Sequence, residues 1–279
     1  MSVRISGLVN TLNEADNIRF AVASLRSFCD EVVVVDQGSE DGTAEIAQRA
    51  GARVEQLPRA GWVEAVREAS VALTTGDWVV VLDADELVAP ALGPRLRAIA
   101  ESGDWDVVLV PRKNIILGTW LRHGGWWPNA KPRFFRRGAV HLRQEIHSGI
   151  VPVEGARILT LPSDPDLALH HFSYHSLHDV VEKTNRYTTV QARLRSRGKH
   201  RLGPRRWFRA VAVRFWVEVI RGRAWRDGPA GIAIAAVRLF DRFLVQAKEW
   251  DERASAGRLA DYRRRKAELL GVPEEEPPV

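Results

Sequence analysis

Residues 76–85 read GDWVVVLDAD, and this stretch decides the fold class. The run from Trp78 to Leu82 is short, apolar and rich in β-branched side chains, which is typical of a strand buried on both faces of a parallel sheet. Asp83 and Asp85 follow at the carboxyl end of this strand, the edge where open α/β sheets bind ligands. Because carboxylates bind hard divalent cations and also cap helices, the pattern predicts either a metal site or an acidic turn.

The first 110 residues alternate strand and helix patterns around this strand. We predict strands over 3–9, 31–35, 53–56, 78–82 and 105–111, with helices over 13–27, 43–50 and 61–74 between them. Strands that alternate with helices at this spacing indicate βαβ crossovers. The predicted fold class is therefore α/β with a mainly parallel, Rossmann-like sheet.

The rest of the chain has a different composition. Residues 112–165 are rich in Gly, Trp, Pro and Arg, and helices are predicted over 177–197, 205–221, 229–252 and 258–270. The tail, 271–279, contains three glutamates and three prolines and is predicted to be disordered. We therefore expect a main domain over 1–200, a helical extension over 201–270 that is basic and aromatic, and this tail.

Composition and charge limit the protein class. With 45% hydrophobic and 27% charged residues, the chain has the composition of an ordinary globular protein. Its net charge of +6 favours polyanionic partners such as nucleic acid, anionic lipid or phosphorylated substrates. The single Cys29 cannot form an intramolecular disulfide, and the sequence has neither a secretory signal pattern nor an apolar stretch of ~20 residues. We expect a cytoplasmic protein, with a peripheral position on the inner face of the cell membrane as a further option.

A second acidic residue, Asp36, ends the second predicted strand. At this edge of a parallel sheet its carboxylate suits hydrogen bonding to the base or ribose of a nucleotide. The alternative is a turn in which Ser39 and Asp41 cap the next helix. No G-x-G-x-x-G motif follows the first strand, which argues against a nicotinamide-dependent dehydrogenase.

Three blocks occur in a fixed order in the first half: TLNEADNI (11–18), VVVDQGSEDGT (33–43), and GDW (76–78) with LDADE (82–86). Together they resemble the nucleotide-sugar half of family 2 glycosyltransferases, which have the GT-A fold. Blocks at 111–114, 117–118, 122–128, 133–137, 170–174 and 183–187 resemble the bacterial branch that includes lipopolysaccharide core β-glucosyltransferases. The resemblance covers residues 3–250 and implies a nucleotide-sugar half over 1–110 and an acceptor half over 111–200.

The resemblance implies a site for a nucleotide sugar, with a UDP-sugar favoured. The residues that it assigns to donor binding are Leu12, Asn13, Glu14, Asp36, Arg67, Asp83 and Asp85. Asp83 and Asp85 are also the implied ligands of a Mg²⁺ or Mn²⁺ ion that stabilises the leaving nucleoside diphosphate. A base would deprotonate an acceptor hydroxyl, which attacks the anomeric carbon in line and inverts its configuration.

Three positions depart from the family pattern. Where this branch carries His-Glu, with the Glu as general base, the chain reads His147-Ser148. Glu145 and His147 are therefore the candidate catalytic residues, unless the base lies elsewhere. Glu68 stands where the family has Asn, and Asn129 stands where Asp is common.

The acceptor half offers aromatic and basic candidates. Trp126 and Trp127 are predicted to form a platform for a sugar face, with packing onto the core as the alternative. Arg133 and Arg136, in a cluster with Arg137, are predicted to bind phosphate, with a solvated surface role as the alternative. One of the adjacent histidines His170 and His171 is a candidate to complete the metal site, as late histidines do in some related transferases, and a structural role is the alternative.

The region 205–250 mixes aromatic residues with many arginines at helical spacing. This pattern fits an amphipathic surface at a membrane interface, and it also fits packing against the catalytic domain.

The predicted function is an inverting, metal-dependent transfer of a hexose from a nucleotide sugar to a glycolipid or polysaccharide precursor such as lipopolysaccharide core. A catalytically weakened homologue that acts as a binding protein is one alternative, motivated by Ser148 and Glu68. A nucleotidyltransferase is another, although Asn13-Glu14 replaces its Gly-rich phosphate loop. A nucleic-acid-binding protein would leave the ordered acidic residues unexplained, so we expect no nucleic-acid partner.

Overall fold

The structure, a computed structural model, describes residues 3–59, 64–142, 149–196, 198 and 203–272. The chain divides into two compact units, Met1–Ser173 and Tyr174–Val279. The helix predicted over 177–197 belongs to the second unit because it packs along the long C-terminal helix. The functional division at residue 200 stays a prediction, and most of the predicted disordered tail, residues 273–279, lies outside the described residues.

In the part that the structure describes, the first unit is built from strands, four α-helices and a 3₁₀ turn over Pro165–Leu167. The strands are β1 (Ile5–Thr11), β2 (Glu31–Asp36), β3 (Arg53–Gln56), β4 (Trp78–Asp83), β5 (Glu86–Val88), β6 (Val107–Val110), β7 (Arg112–Ile116), β8 (Thr119–Trp120), β9 (Lys131–Arg136), β10 (Val140–Leu142), β11 (Ile150–Pro152), β12 (Ile158–Thr160) and β13 (Leu169–Ser173). The helices are α1 (Ile18–Arg26), α2 (Thr43–Arg49), α3 (Glu64–Ala72) and α4 (Leu92–Ser102).

Seven of the described strands form one sheet in the order β12-β6-β9-β4-β1-β2-β3. Strands β1 to β4 run parallel, and β9 lies antiparallel between β4 and β6. The predicted α/β class with a mainly parallel sheet is confirmed. The ends of β1, β2 and β4 therefore meet at one edge of the sheet, which positions the predicted acidic residues together.

Strand β4 is the centre of the hydrophobic core. Its residues from Trp78 to Leu82 are all buried, as predicted for a strand covered on both faces. Trp78, Val80 and Leu82 face a core built with α1 and α4, whereas Val79 and Val81 face the opposite core. Burying one such side chain stabilises the fold by about 1.5–3 kcal/mol, so the apolar run of β4 contributes strongly to the stability of the sheet.

Helix α1 starts later than predicted. The sequence predicted a helix from residue 13, but the helix begins at Ile18. Asn13 adopts a left-handed backbone conformation with φ of 55°, which asparagine tolerates better than most residues. The block that precedes α1 is thus a loop at the carboxyl end of β1, where a ligand can reach its backbone.

A second, smaller sheet extends the edge beyond β4. Its order is β5-β13-β7-β8, with β13 antiparallel to β5 and parallel to β7. In this register His171 on β13 lies opposite Glu86 on one side and Asn114 on the other. The sheet therefore carries residues from distant parts of the sequence to the end of β4.

The second unit is helical in the part that the structure describes. Its helices are α5 (Leu177–Ser196), α6 (Pro204–Phe215) and α7 (Gly228–Leu270). Between α6 and α7 lie a π-helical turn over Trp216–Arg221 and a 3₁₀ turn over Ala224–Asp227. The separate helix predicted over 258–270 is wrong, because α7 continues through Gly257 without a break. Among the described helices, none is long and apolar enough to cross a bilayer.

Close backbone approach at Gly76 leads to a prediction on stability. A β-carbon there would lie 2.8 Å from the Ser6 nitrogen and 2.9 Å from the Arg4 carbonyl oxygen. Because backbone atoms yield little, we expect Gly76→Ala to lower the free energy of unfolding by about 1–3 kcal/mol. Gly257→Ala is the matched control, since its β-carbon meets no atom within 4 Å and helix propensity favours alanine. Equal urea midpoints for Gly76→Ala and the wild type would contradict the prediction.

Candidate active site

Two loops are tied together at the carboxyl ends of β1 and β2. The Asn13 N–H donates to the Ser39 hydroxyl at 2.8 Å, and the Asn13 side-chain oxygen accepts from the Glu40 N–H at 2.9 Å. The Glu14 N–H donates to the Thr43 hydroxyl at 2.8 Å. These bonds hold the block 11–18 against the block 33–43, so the structure brings Leu12, Asn13, Glu14 and Asp36 to one edge.

Asp36 is buried and accepts hydrogen bonds from its own turn. Its carboxylate accepts from the N–H groups of Gly38 at 3.2 Å and Ser39 at 3.0 Å, and from the Ser39 hydroxyl. Asp36 thus shapes the turn that holds Asn13. Its contact with a nucleotide base or ribose stays a prediction.

Asp83 belongs to a buried ion-pair network at the end of β4. The Arg133 guanidinium lies 2.6 Å from the Asp83 carboxylate and 2.9 Å from that of Glu86, whose side chain is fully buried. Glu86 also accepts from Arg112 at 3.2 Å and from the Asp83 N–H at 3.1 Å. Charged hydrogen bonds on both sides therefore fix the orientation of Asp83.

The charge of Asp83 is set by these neighbours. Burial opposes its ionisation, but the adjacent Arg133 guanidinium, aided by the charge of Arg67, holds the pKa of Asp83 well below its usual range. Asp83 is consequently a carboxylate at neutral pH. Arg67, itself buried, adds positive charge on the same side of the sheet.

Asp85 meets a histidine whose orientation is fixed. The buried Asn114 donates its amide hydrogens to the carbonyls of Arg112 at 3.1 Å and Trp126 at 2.8 Å, which leaves its Oδ1 as an acceptor. His171 Nδ1 lies 2.8 Å from that oxygen and so carries a hydrogen. His171 Nε2 faces the Asp85 carboxylate at 3.2 Å. In the neutral imidazole Nε2 has a free lone pair. The His171 Nε2 atom and the neighbouring Asp85 carboxylate oxygen are therefore two potential ligand atoms for a cation.

The structure distinguishes between the two adjacent histidines. His170 points away from Asp85, and its Nε2 lies 3.2 Å from the Pro165 carbonyl oxygen. Burial lowers the pKa of His170. His171 is thus the member of the pair that the structure brings to the predicted metal ligands.

Two buried polar atoms at the end of β1 have no hydrogen-bond partner among the described residues. They are Asn10 Nδ2 and Thr11 Oγ1. Asn10 pairs in register with Asp83, and its other amide atom accepts from Ser70 on α3 at 2.5 Å. The two side chains lie on opposite faces of the sheet because they are neighbours in one strand, and Asn10 lies on the face of α3.

The predicted acceptor residues are dispersed. Trp126 and Trp127 are half-buried, and the Trp127 ring packs edge-on against Trp120 with 5.4 Å between centroids. Arg133 lies in the network around Asp83, whereas Arg136 pairs with Trp78 at the opposite end of β4. The structure therefore does not bring Arg136 to the site. Glu145, His147 and Ser148 lie outside the described residues.

Several site residues were missed at the sequence level. Glu86, Arg112 and Asn114 lie within the motif blocks, but the sequence alone does not indicate a role for them. Their contacts depend on partners far away in the sequence. Within the described residues, no group of three or more His, Cys, Asp or Glu side chains converges as a metal site. A cation at Asp85 and His171 thus needs further ligands, which a bound ligand's oxygen atoms can supply.

Comparison with known proteins establishes the family. The family model for glycosyl transferase family 2 matches residues 6–153, more than half of the chain, and this match includes the ends of β1, β2 and β4. The chain belongs to glycosyl transferase family 2. This family 2 protein is a transferase enzyme, and the predicted GT-A fold class is confirmed.

Relatives of this family 2 enzyme match over most of its length. It is 28% identical to an uncharacterized glycosyltransferase of Rickettsia felis, with 88% of this chain and 89% of that protein covered. It is 27% identical to the lipopolysaccharide core biosynthesis glycosyltransferase LpsC of Rhizobium meliloti, with 91% and 94% covered.

A solved structure matches part of the chain. It is glucosyl-3-phosphoglycerate synthase from Mycobacterium tuberculosis in complex with Mn²⁺, UDP-glucose and phosphoglyceric acid, with 27% identity and a TM-score of 0.36. The match covers 40% of this chain and 44% of the solved chain.

Proposed function

We propose that this family 2 enzyme is an inverting, metal-dependent transferase that moves a hexose from a nucleoside diphosphate sugar, with a UDP-sugar favoured, to a glycolipid or polysaccharide precursor such as lipopolysaccharide core. The observation that carries the proposal is the pairing of Asp85 with His171 Nε2 beside the ionised Asp83. The near full-length similarity to LpsC supports the class of acceptor.

The residues present fit a divalent cation. Asp85 and His171 would hold it, and the donor diphosphate would supply the remaining ligands. One carboxylate oxygen together with one imidazole nitrogen favours Mn²⁺ over Mg²⁺, because Mg²⁺ prefers oxygen ligands throughout. When bound, such an ion neutralises the charge of the leaving nucleoside diphosphate.

The protein's own groups would bind and orient the donor. Asn10 Nδ2 offers a hydrogen bond at the end of β1, and Arg67 offers a positive charge for a phosphate. Leu12, Asn13, Glu14 and Asp36 keep their proposed place at the base and ribose. Arg133 acts by holding Asp83 toward the site rather than by contacting an acceptor phosphate.

The proposal also assigns residues to the acceptor side of the site. Glu145 or His147 would take the proton from the acceptor hydroxyl, and Trp126 and Trp127 would face the sugar. The nucleotide-sugar half over 1–110, the acceptor half over 111–200 and the helical extension over 201–270 are also retained. The proposed location is cytoplasmic and peripheral on the inner face of the membrane.

The test is metal-dependent use of a donor by the purified full chain. We expect one or more nucleotide sugars to bind in the presence of Mn²⁺ and to release a nucleoside diphosphate slowly by hydrolysis, faster when a lipopolysaccharide core acceptor is added. Calorimetry measures binding, and a coupled nucleotide assay measures release. A chain that binds nucleotide sugars but never turns them over supports the weakened homologue instead. A chain that binds none of the nucleotide sugars overturns the proposal.

A further inference from the structure

Helix α6 exposes a continuous apolar and cationic face. The positions Arg205, Phe208, Arg209, Ala212, Val213 and Trp216 are all exposed, and they recur at three- and four-residue spacing. At 3.6 residues per turn they fall within an arc of roughly 140°. We call this set the basic-aromatic face. Phe208 is 77% exposed and Trp216 is 60% exposed, which is far more than aromatic side chains in a folded core.

The opposite side of the same segment is packed within the second unit. Trp207 lies edge-on against Phe243 of α7, with 5.7 Å between ring centroids. Glu218, in the π-helical turn, is 1% exposed and lies 3.1 Å from Arg238 of α7. Because these contacts secure one side of α6 against α7, the basic-aromatic face is directed away from α7.

The charge of this surface has one sign. Glu218 is the sole carboxylate in the sequence from 203 to 226, and it is buried in ion pairs. Exposed cations continue beyond the face at Arg221, Arg223 and Arg226, and exposed apolar side chains continue at Ile220 and Trp225. The surface thus combines aromatic and aliphatic groups with arginines and lacks an exposed carboxylate in this described stretch.

We infer that the basic-aromatic face binds the surface of an anionic phospholipid bilayer, with α6 lying parallel to the membrane plane. Apolar side chains on one face of such a helix enter the boundary between headgroups and acyl chains by about 5–10 Å, while flanking arginines pair with anionic headgroups. Arginine suits this place because its aliphatic stem stays in the apolar layer while its charge reaches the headgroup.

Other partners fit this surface less well. A nucleic acid would pair with the arginines but would leave Val213 and Ile220 in water, since recognition of phosphates uses no aliphatic groups. An interface between proteins also enriches arginine and aromatic residues, but it gives no reason for every exposed charge from 203 to 226 to be positive. An anionic bilayer accommodates both kinds of group at once. The inference deepens the peripheral location proposed above by naming the surface that binds the membrane, and it does not depend on the proposed reaction.

The C-terminal half of α7 is a contrasting surface that supplies matched controls. Tyr262 is 56% exposed, nearly as much as Trp216, but its neighbours carry both signs of charge. Arg258 pairs with Asp251, and Arg265 pairs with Asp261. The paired carboxylates offset part of the positive charge there, so we expect this surface to attract an anionic bilayer less than the basic-aromatic face does.

The experiment is co-sedimentation of the full chain with vesicles of phosphatidylcholine alone or in an equimolar mixture with phosphatidylglycerol. We expect binding to the anionic vesicles, weakened by salt. The double variant Phe208→Ser/Trp216→Ser should lower the partition coefficient by about tenfold or more. Arg205→Gln/Arg209→Gln should lower it by about fivefold per charge removed. Tyr262→Ser and Arg258→Gln/Arg265→Gln, which removes two carboxylate-paired arginines, are the matched controls and should lower binding much less than the face variants do.

Three outcomes would overturn the inference. One is the absence of binding to anionic vesicles, and another is equal loss of binding in the face variants and the α7 controls. The third is a wild-type dimer that Phe208→Ser/Trp216→Ser converts to a folded monomer without lipid, which would make the face a subunit interface. Nucleotide-sugar hydrolysis, measured on the same variants without vesicles, should stay unchanged. Loss of vesicle binding is thereby separated from failure of the proposed reaction.

Discussion

Asp85→Asn is expected to lower the rate of glycosyl transfer by about 10²–10³-fold and to weaken Mn²⁺ binding in parallel. Removing one group that stabilises charge in a transition state has an effect of this size. Asparagine keeps the shape of Asp85 but removes the negative charge that attracts a cation beside His171 Nε2. Steady-state assays at saturating donor, together with Mn²⁺ titrations followed by electron paramagnetic resonance, measure the two effects.

The controls for Asp85→Asn separate a metal ligand from a general loss of charge. Asp104→Asn removes an exposed carboxylate elsewhere in the unit and should leave both the rate and the Mn²⁺ affinity unchanged. His171→Ala should weaken Mn²⁺ binding as well, because the imidazole contributes a second ligand atom. If Asp85→Asn binds Mn²⁺ as tightly as the wild type, the assignment of this pair as the metal site is wrong.

The position of the predicted donor residues at one edge of the sheet could be predicted from local sequence. The apolar run that ends at Asp83 identified a strand buried on both faces, and the structure buries that strand completely. Strands that alternate with helices bring their carboxyl ends to one edge, so the position of Asp36 near the end of β1 followed from topology alone. Such predictions succeed because they depend on periodicity and on neighbours in sequence.

The partners of these residues could not be predicted in the same way. His171 reaches Asp85 only because β13 inserts between β5 and β7, and this order is invisible in a single sequence. Arg133 was predicted at an acceptor phosphate because clustered arginines favour anions, whereas the anions it meets are two carboxylates of the same chain. The continuity of α7 was missed, since separate helices were predicted over 229–252 and 258–270 whereas one helix spans Gly228–Leu270.

Arg133→Gln is expected to lower the free energy of unfolding by about 3–5 kcal/mol, the scale for removing one partner of a buried ion pair. Among the residues that the structure describes, the buried Glu86 then keeps Arg112 as its cationic partner, and Asp83 loses the charge that favours its ionised form. Urea denaturation followed by circular dichroism measures the loss. Arg136→Gln is the matched control in the same strand, because Arg136 is exposed and its change should stay within about 0.5 kcal/mol.

A double variant tests whether the loss comes from the ion pair itself. Because Glu86→Gln removes the buried charge that Arg133 compensates, Arg133→Gln/Glu86→Gln should lose less stability than the sum of the two single variants. The expected coupling lies within about 0.5–3 kcal/mol, the range for residues in one hydrogen-bonded network. Strictly additive losses would show that Arg133 and Glu86 are not coupled, so that the loss in Arg133→Gln comes from its other contacts, such as the one with Asp83.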